Sequence, residues 1–140
     1  MTQKFHEPYS PAILETTVSE RFVDIVNTVA DEVLADEEKS KQWDFSHKLV
    51  GKVNKEIQIP VKGKSDREYL FSTMKQGCLD YLNYMIDKNR AQSYNRIVGE
   101  GIKPTIENIH LTQSWVVSQY AGDFNPIHHH NGDFSAAIYL

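Results

Sequence analysis

Thr105-Ile106-Glu107-Asn108-Ile109-His110-Leu111-Thr112-Gln113-Ser114-Trp115-Val116-Val117-Ser118 is where the chain changes its period. Ile109, Leu111, Gln113, Trp115 and Val117 fall on one face of an extended backbone, and His110, Thr112, Ser114, Val116 and Ser118 fall on the other. The alternation predicts one long strand over 105–118, or two joined by a bend, because strands much longer than about ten residues are uncommon. Upstream of this stretch the apolar period is three to four. Helices first and strands last predict an α+β domain whose helices pack on one face of a mainly antiparallel sheet.

Working back toward the N-terminus, Gly99, Gly101 and Pro104 break the chain. Before them Leu70, Phe71, Met74, Cys78, Leu82, Met85 and Ile86 mark one helix face, with Tyr81 and Tyr84 near its margin. Ser65-Asp66-Arg67-Glu68 reads as the capping box that starts this helix. Ile57-Gln58-Ile59-Pro60-Val61 alternates and suggests a half-buried strand that Pro60 ends or pushes to an edge, with Gly63 in the turn that follows. An earlier helix is expected to start at Ser19, with Phe22, Ile25, Val26, Val29 and Val33 as its stripe, and to end at the solvated run Asp36-Glu37-Glu38-Lys39. Residues 1–18, with Pro8 and Pro11, read as an extended lead-in without regular structure. The helical region thus covers about 19–90 and the strands about 105–140, within a single domain over 1–140.

Composition narrows the function classes. The 140 residues are 40% hydrophobic and 24% charged, which is globular composition. A net charge of −4 does not suggest a general nucleic-acid-binding surface. The single cysteine, Cys78, cannot form an internal disulfide and reads as a small buried hydrophobe in a reducing compartment. The N-terminal residues lack an apolar signal core, and no apolar run is long enough to span a membrane. A cytoplasmic protein is expected.

Working forward from Ser118, a turn at Gly122-Asp123 leads into Phe124-Asn125-Pro126-Ile127-His128-His129-His130-Asn131, a second turn at Gly132-Asp133, and a short apolar strand from Phe134 to Leu140. In extended backbone His128 and His130 share a face and His129 points away. Two imidazoles on one face can converge on a metal, and imidazole suits iron, copper, nickel and zinc. Taken alone, a histidine triplet also fits a surface accident. His6, His47 and His110 are isolated and read as surface or hydrogen-bonded structural residues.

Ser114-Trp115-Val116-Val117, Tyr120-Ala121-Gly122-Asp123-Phe124-Asn125, His128-His129-His130 and Phe134-Ser135-Ala136-Ala137-Ile138-Tyr139-Leu140 together resemble a microbial family of Fe(II)- and 2-oxoglutarate-dependent oxygenases. The family pattern is a Trp strand, a Gly-aromatic-Asn turn, a His-x-His pair and a Ser-containing strand that ends in Tyr and an apolar residue. The resemblance is dense over 114–140 and rests on layout alone over the helical part. It implies a double-stranded β-helix, a jelly roll that holds one Fe(II), and a dioxygenase that couples decarboxylation of 2-oxoglutarate by O₂ to hydroxylation of a small-molecule or peptide substrate. On that resemblance His128 and His130 are metal ligands, and Asn125 and Tyr139 are polar groups near the co-substrate. His130 departs from the wider superfamily, which has a carboxylate at that position. Asp133 or Asp123 could supply one, although neither has the usual spacing.

The family's distal histidine and its 2-oxoglutarate-binding Arg find no match by Leu140. Phe134, Ala136, Ile138 and Leu140 alternate up to that residue and would leave an apolar strand edge unpaired. The expectation is an incomplete barrel, truncated relative to the family and inactive alone unless another chain or an oligomer completes it. The competing reading is a non-catalytic interaction module that recruits a partner strand through the open edge. A zinc hydrolase is weaker still, because no His-Glu-x-x-His motif is present.

Overall fold

A computed structural model describes residues 3–7, 12–44, 55–59, 63–99, 101–124 and 130–140. Among the described residues the architecture is mixed α and β: two small antiparallel sheets of two strands each, and four α-helices. The chain divides into two compact units, one of Met1–Ser19 with Glu68–Leu111, the other of Glu20–Arg67 with Thr112–Leu140. No helix among the described residues is long and apolar enough to cross a membrane.

The first unit opens with a surprise for the sequence reading. Strands β1 (Gln3–His6) and β2 (Ile13–Thr16) pair antiparallel, with Phe5 opposite Leu14 and His6 opposite Ile13. The expected lead-in is therefore a strand pair. Pro8 and Pro11, which argued against regular structure, fall between the two strands and outside the described residues. The pair is held by side chains on a long helix, α3 in chain order (Lys64–Asp87). The Phe5 ring stacks on Tyr84 at 3.9 Å between centroids. The Tyr84 hydroxyl donates to Glu7 at 2.6 Å, and Arg90 reaches the same carboxylate at 3.0 Å.

Of the expected α3 stripe, Leu70 and Leu82 are buried, while Phe71, Met74, Cys78, Met85 and Ile86 are half-buried. Burial pushes the Cys78 thiol up, away from the reactive thiolate. The helix starts before the capping box: its first bond runs from Arg67 N–H to the Gly63 carbonyl at 2.9 Å. Ser65 lies inside the first turn, so Gly63 takes the cap position.

The second unit contains α1 (Glu20–Leu34), which begins at the residue after Ser19 as expected. Phe22, Val26, Ala30 and Val33 are its buried stripe, and Ile25 and Val29 are half-buried. The charged run does not simply end α1. Asp36 accepts from the amides of Glu38 and Lys39 and so caps a second helix, α2 (Glu37–Gln42). Glu37 and Glu38 lie at its positive end, and Lys41 pairs with Glu37 at 2.9 Å.

Strand β3 (Lys55–Gln58) stops before Pro60 and pairs antiparallel with β4 (Trp115–Ser118). Along its other edge β3 meets Trp43-Asp44, where Gln58 N–H donates to the Trp43 carbonyl at 3.0 Å. Ala30, Val33 and Ile57 form a core cluster, with Leu34, Trp43 and Val116 packed against it.

Two expected strands are not formed. Over 105–118 only β4 is a strand. Ile106–Asn108 is a 3₁₀ turn closed from Asn108 N–H to the Thr105 carbonyl at 3.1 Å. Residues 109–114 have no regular structure, although Ile109 and Leu111 are half-buried and His110 and Thr112 are exposed. The alternation in burial survives there, but the division between the two units falls after Leu111, so the stretch is not one ladder. Residues 134–140 also form no strand, and a strand needs a neighbour to satisfy its backbone. Before both of these regions lies a short helix the sequence does not predict, α4 (Gln92–Val98), which ends at Gly99 with φ 103°.

Candidate functional site

β4 presents the candidate site. After Ser118 the chain turns sharply: Asp123 N–H donates to the Tyr120 carbonyl at 3.0 Å, and the Asp123 carboxylate accepts from Tyr120 N–H at 3.0 Å. Gly122 sits between them with φ 92°, a conformation costly for any residue with a Cβ. The turn thus forms where Gly122-Asp123 predicts it. Its closure engages Asp123 with backbone, which weighs against Asp123 as a metal ligand.

His128 and Asn125 lie outside the described residues. His130 is exposed, and its ring lies against the Trp115 indole at 5.5 Å between centroids with a 34° tilt. This contact brings together two elements of the sequence pattern, the Trp strand and the histidine segment. Asp133 is exposed. Tyr139 is 93% exposed, so its phenol faces solvent. Among the described residues no three His, Cys, Asp or Glu side chains gather as a metal centre needs.

Sequence reasoning overlooked Glu56. The register of β3 and β4 pairs Glu56 with Val117, Ile57 with Val116 and Gln58 with Trp115. Paired residues share a face and neighbours along a strand alternate. Ile57 and Val116 therefore point to the core cluster beside α1, and Glu56, Gln58, Trp115 and Val117 share the opposite face. Alternation would expose an acid there. Glu56 is instead 1% exposed, the buried charged residue among those described.

The second unit thus sets an exposed imidazole against the Trp115 indole, and Glu56, on the face that Trp115 shares, carries a carboxylate withdrawn from water. Comparison with models of known protein families, with curated proteins and with solved structures returns no match.

Proposed function

We propose that residues 114–140 carry part of the metal centre of an Fe(II)- and 2-oxoglutarate-dependent oxygenase, with His128 and His130 as ligands. The observation that carries this reading is the contact between His130 and Trp115, because it couples the histidine segment to the strand that precedes it in the sequence pattern. The turn closed by Tyr120 and Asp123 supports the same reading, since it sits at the Gly-aromatic-Asn element. The donor chemistry suits Fe(II), for which imidazole is a good ligand. Two imidazoles alone do not complete such a centre, and further ligands must come from outside this pair. The bound metal, with 2-oxoglutarate and O₂, would supply oxidation of a C–H bond, yielding succinate, CO₂ and a hydroxylated small-molecule or peptide substrate. In this proposal Asn125 and Tyr139 approach the co-substrate, and the completed centre is a double-stranded β-helix. A distal histidine and an Arg from another segment or chain are needed for turnover.

Anaerobic Fe(II) titration tests this. His128→Ala is expected to weaken binding by about tenfold or more, and His128→Ala with His130→Ala to abolish it. Metal binding that survives the double replacement overturns the reading.

A second reading, an interaction module, is favoured by one observation. Ile138, Tyr139 and Leu140 are 41%, 93% and 56% exposed, which is unusual for consecutive large apolar side chains unless a partner covers them.

A further inference from the structure

We infer that Asn131 is a site of spontaneous covalent modification, at which the Gly132 amide displaces the side-chain nitrogen and leaves a mixture of aspartate and isoaspartate. This chemistry needs no metal and does not depend on the proposed oxygenase centre.

Glycine directly follows asparagine at 131–132 and nowhere else in the chain. A main-chain amide nitrogen can attack the side-chain carbonyl carbon of the asparagine before it and close a five-membered ring. Here the new C–N bond joins the Gly132 nitrogen to the Asn131 Cγ. The Gly132 amide proton passes to water, and the Asn131 side-chain nitrogen leaves as ammonia. Water then adds to either carbonyl of the succinimide. Opening at one gives aspartate at position 131, and opening at the other gives isoaspartate, whose main chain runs through the former side chain. Water is the co-reactant, and nothing is oxidised or reduced.

The structure leaves this attack unobstructed. Residues 131–133 form bends, and Asn131 and Gly132 are both exposed. Neither makes a hydrogen bond to another described residue. Gly132 takes φ 112° and has no Cβ to shield its nitrogen. A Cβ built there would meet nothing nearer than the Phe134 carbonyl oxygen at 3.9 Å, so the space beside the amide is open.

Other asparagines are followed by amides that are already engaged. Asn27, Asn83 and Asn95 lie inside α1, α3 and α4, where the next N–H belongs to the helical ladder. After Asn89, Arg90 N–H donates to the Met85 carbonyl at 2.7 Å, and after Asn108, Ile109 N–H donates to the Ile106 carbonyl at 3.3 Å. Ring closure at these positions would break a backbone hydrogen bond. Asn125 precedes Pro126, which has no N–H.

The products alter the segment in two ways. A carboxylate at position 131 stands two residues from Asp133, and like charges repel. Isoaspartate also lengthens the main chain between His130, which rests on Trp115, and the exposed residues Ile138, Tyr139 and Leu140.

The full chain is incubated at neutral and at mildly alkaline pH and digested, and each asparagine peptide is followed by mass spectrometry. Isoaspartate is counted separately, as methyl acceptance from S-adenosylmethionine by a protein isoaspartate methyltransferase. The peptide containing Asn131 is expected to gain the mass difference between amide and acid, faster at the higher pH, and to accept methyl groups. The peptides containing Asn27, Asn83, Asn89, Asn95 and Asn108 are expected to keep their amides in the folded chain. Asn131→Gln, whose longer side chain cannot close the five-membered ring, is expected to lose both signals without a change in Tm. Conversion at Asn131 should proceed as readily in the folded chain as in guanidinium chloride, because folding does not cover the site. An Asn131 that keeps its amide, that converts only when the chain is unfolded, or that converts no faster than the helical asparagines overturns the assignment. So does methyl acceptance undiminished by Asn131→Gln.

Discussion

Glu7 receives two donors at the end of β1, the Tyr84 phenol and the Arg90 guanidinium. Its carboxyl is held below the ordinary 4.5, first by the hydrogen bond from Tyr84 and then by the charge of Arg90. A carboxyl lowered in the folded state contributes stability that is complete above pH 4.5 and is lost as pH falls through the lowered value. The same bond raises Tyr84 above its ordinary 10.0, so that contribution is complete below pH 10.0 and is lost as pH rises through the raised value. Tyr84→Phe removes the bond and is expected to flatten both limbs of the stability–pH curve, with its largest loss at neutral pH, small because the pair is exposed, and the least at the acid and alkaline extremes. Thermal unfolding from about pH 3 to about pH 11 measures this. Equal loss of Tm at every pH would contradict it.

Gly99 closes α4 at φ 103°, and a Cβ there would stand 3.1 Å from the Ile102 Cδ1. Gly99→Ala is therefore expected to destabilise by about 1–3 kcal/mol through backbone strain. Gly77→Ala is the control, since a Cβ at that helical position meets nothing within 4 Å. It is expected to be neutral or stabilising by up to about 1 kcal/mol. Urea unfolding of the two variants checks the sign of each.

At the scale of the element, α1 is the most legible part of the chain. Its stripe recurs at helical spacing, and the residues so marked include Phe22, Val26 and Val33, all buried. Phe22 is 1% exposed, so Phe22→Ala is expected to cost about 3–5 kcal/mol in urea unfolding. Val29→Ala, at a half-buried position of the same stripe, is expected to cost less. Equal costs would mean that the stripe does not face the core as described. α2 was hidden because Asp36-Glu37-Glu38-Lys39 reads as solvated charge, whereas the same four residues place a cap and two acids at a helix start. Hydrogen bonds from the Lys39 and Glu38 amides and the Lys39 charge hold the Asp36 carboxyl below its ordinary value. Asp36→Ala is expected to fray α2, and Asp36→Asn to preserve it, as seen by amide exchange over residues 37–42. β1 and β2 were hidden for another reason: four-residue strands carry too few alternations to outweigh two nearby prolines. Glu56 escaped notice because alternation assigns polar residues to solvent, and β3 is covered on both faces. Burial on two sides is a property of packing, which a local pattern does not carry.

At the scale of the whole molecule, the alternation over 105–118 predicts one long strand or two joined by a bend. It is divided between two compact units, and its two ends obey different neighbours. The α+β class was legible because it depends only on periods. The pairing was not, because a ladder depends on which strand lies alongside, and β4 finds β3 from more than fifty residues earlier in the chain. The outward chemistry of the second unit follows from the same fact. With β4 paired to β3, the segment beyond it forms no strand among the described residues and leaves Tyr120, Phe124, Phe134, Ile138, Tyr139 and Leu140 between 41% and 93% exposed. Apolar side chains held in water gain about 25 cal/mol for each Å² they bury, so a surface of this kind favours association. The chain is accordingly expected to bind a hydrophobic dye and to associate as concentration rises, in sedimentation velocity. Ile138→Ser with Leu140→Ser is expected to reduce both signals and leave Fe(II) binding unchanged, because neither residue is a ligand in the proposed centre. A native chain that stays monomeric at every concentration would remove the support for an interaction module. A loss of Fe(II) binding in the serine variant would instead tie these residues to the metal centre, and the two surfaces would have to be treated as one.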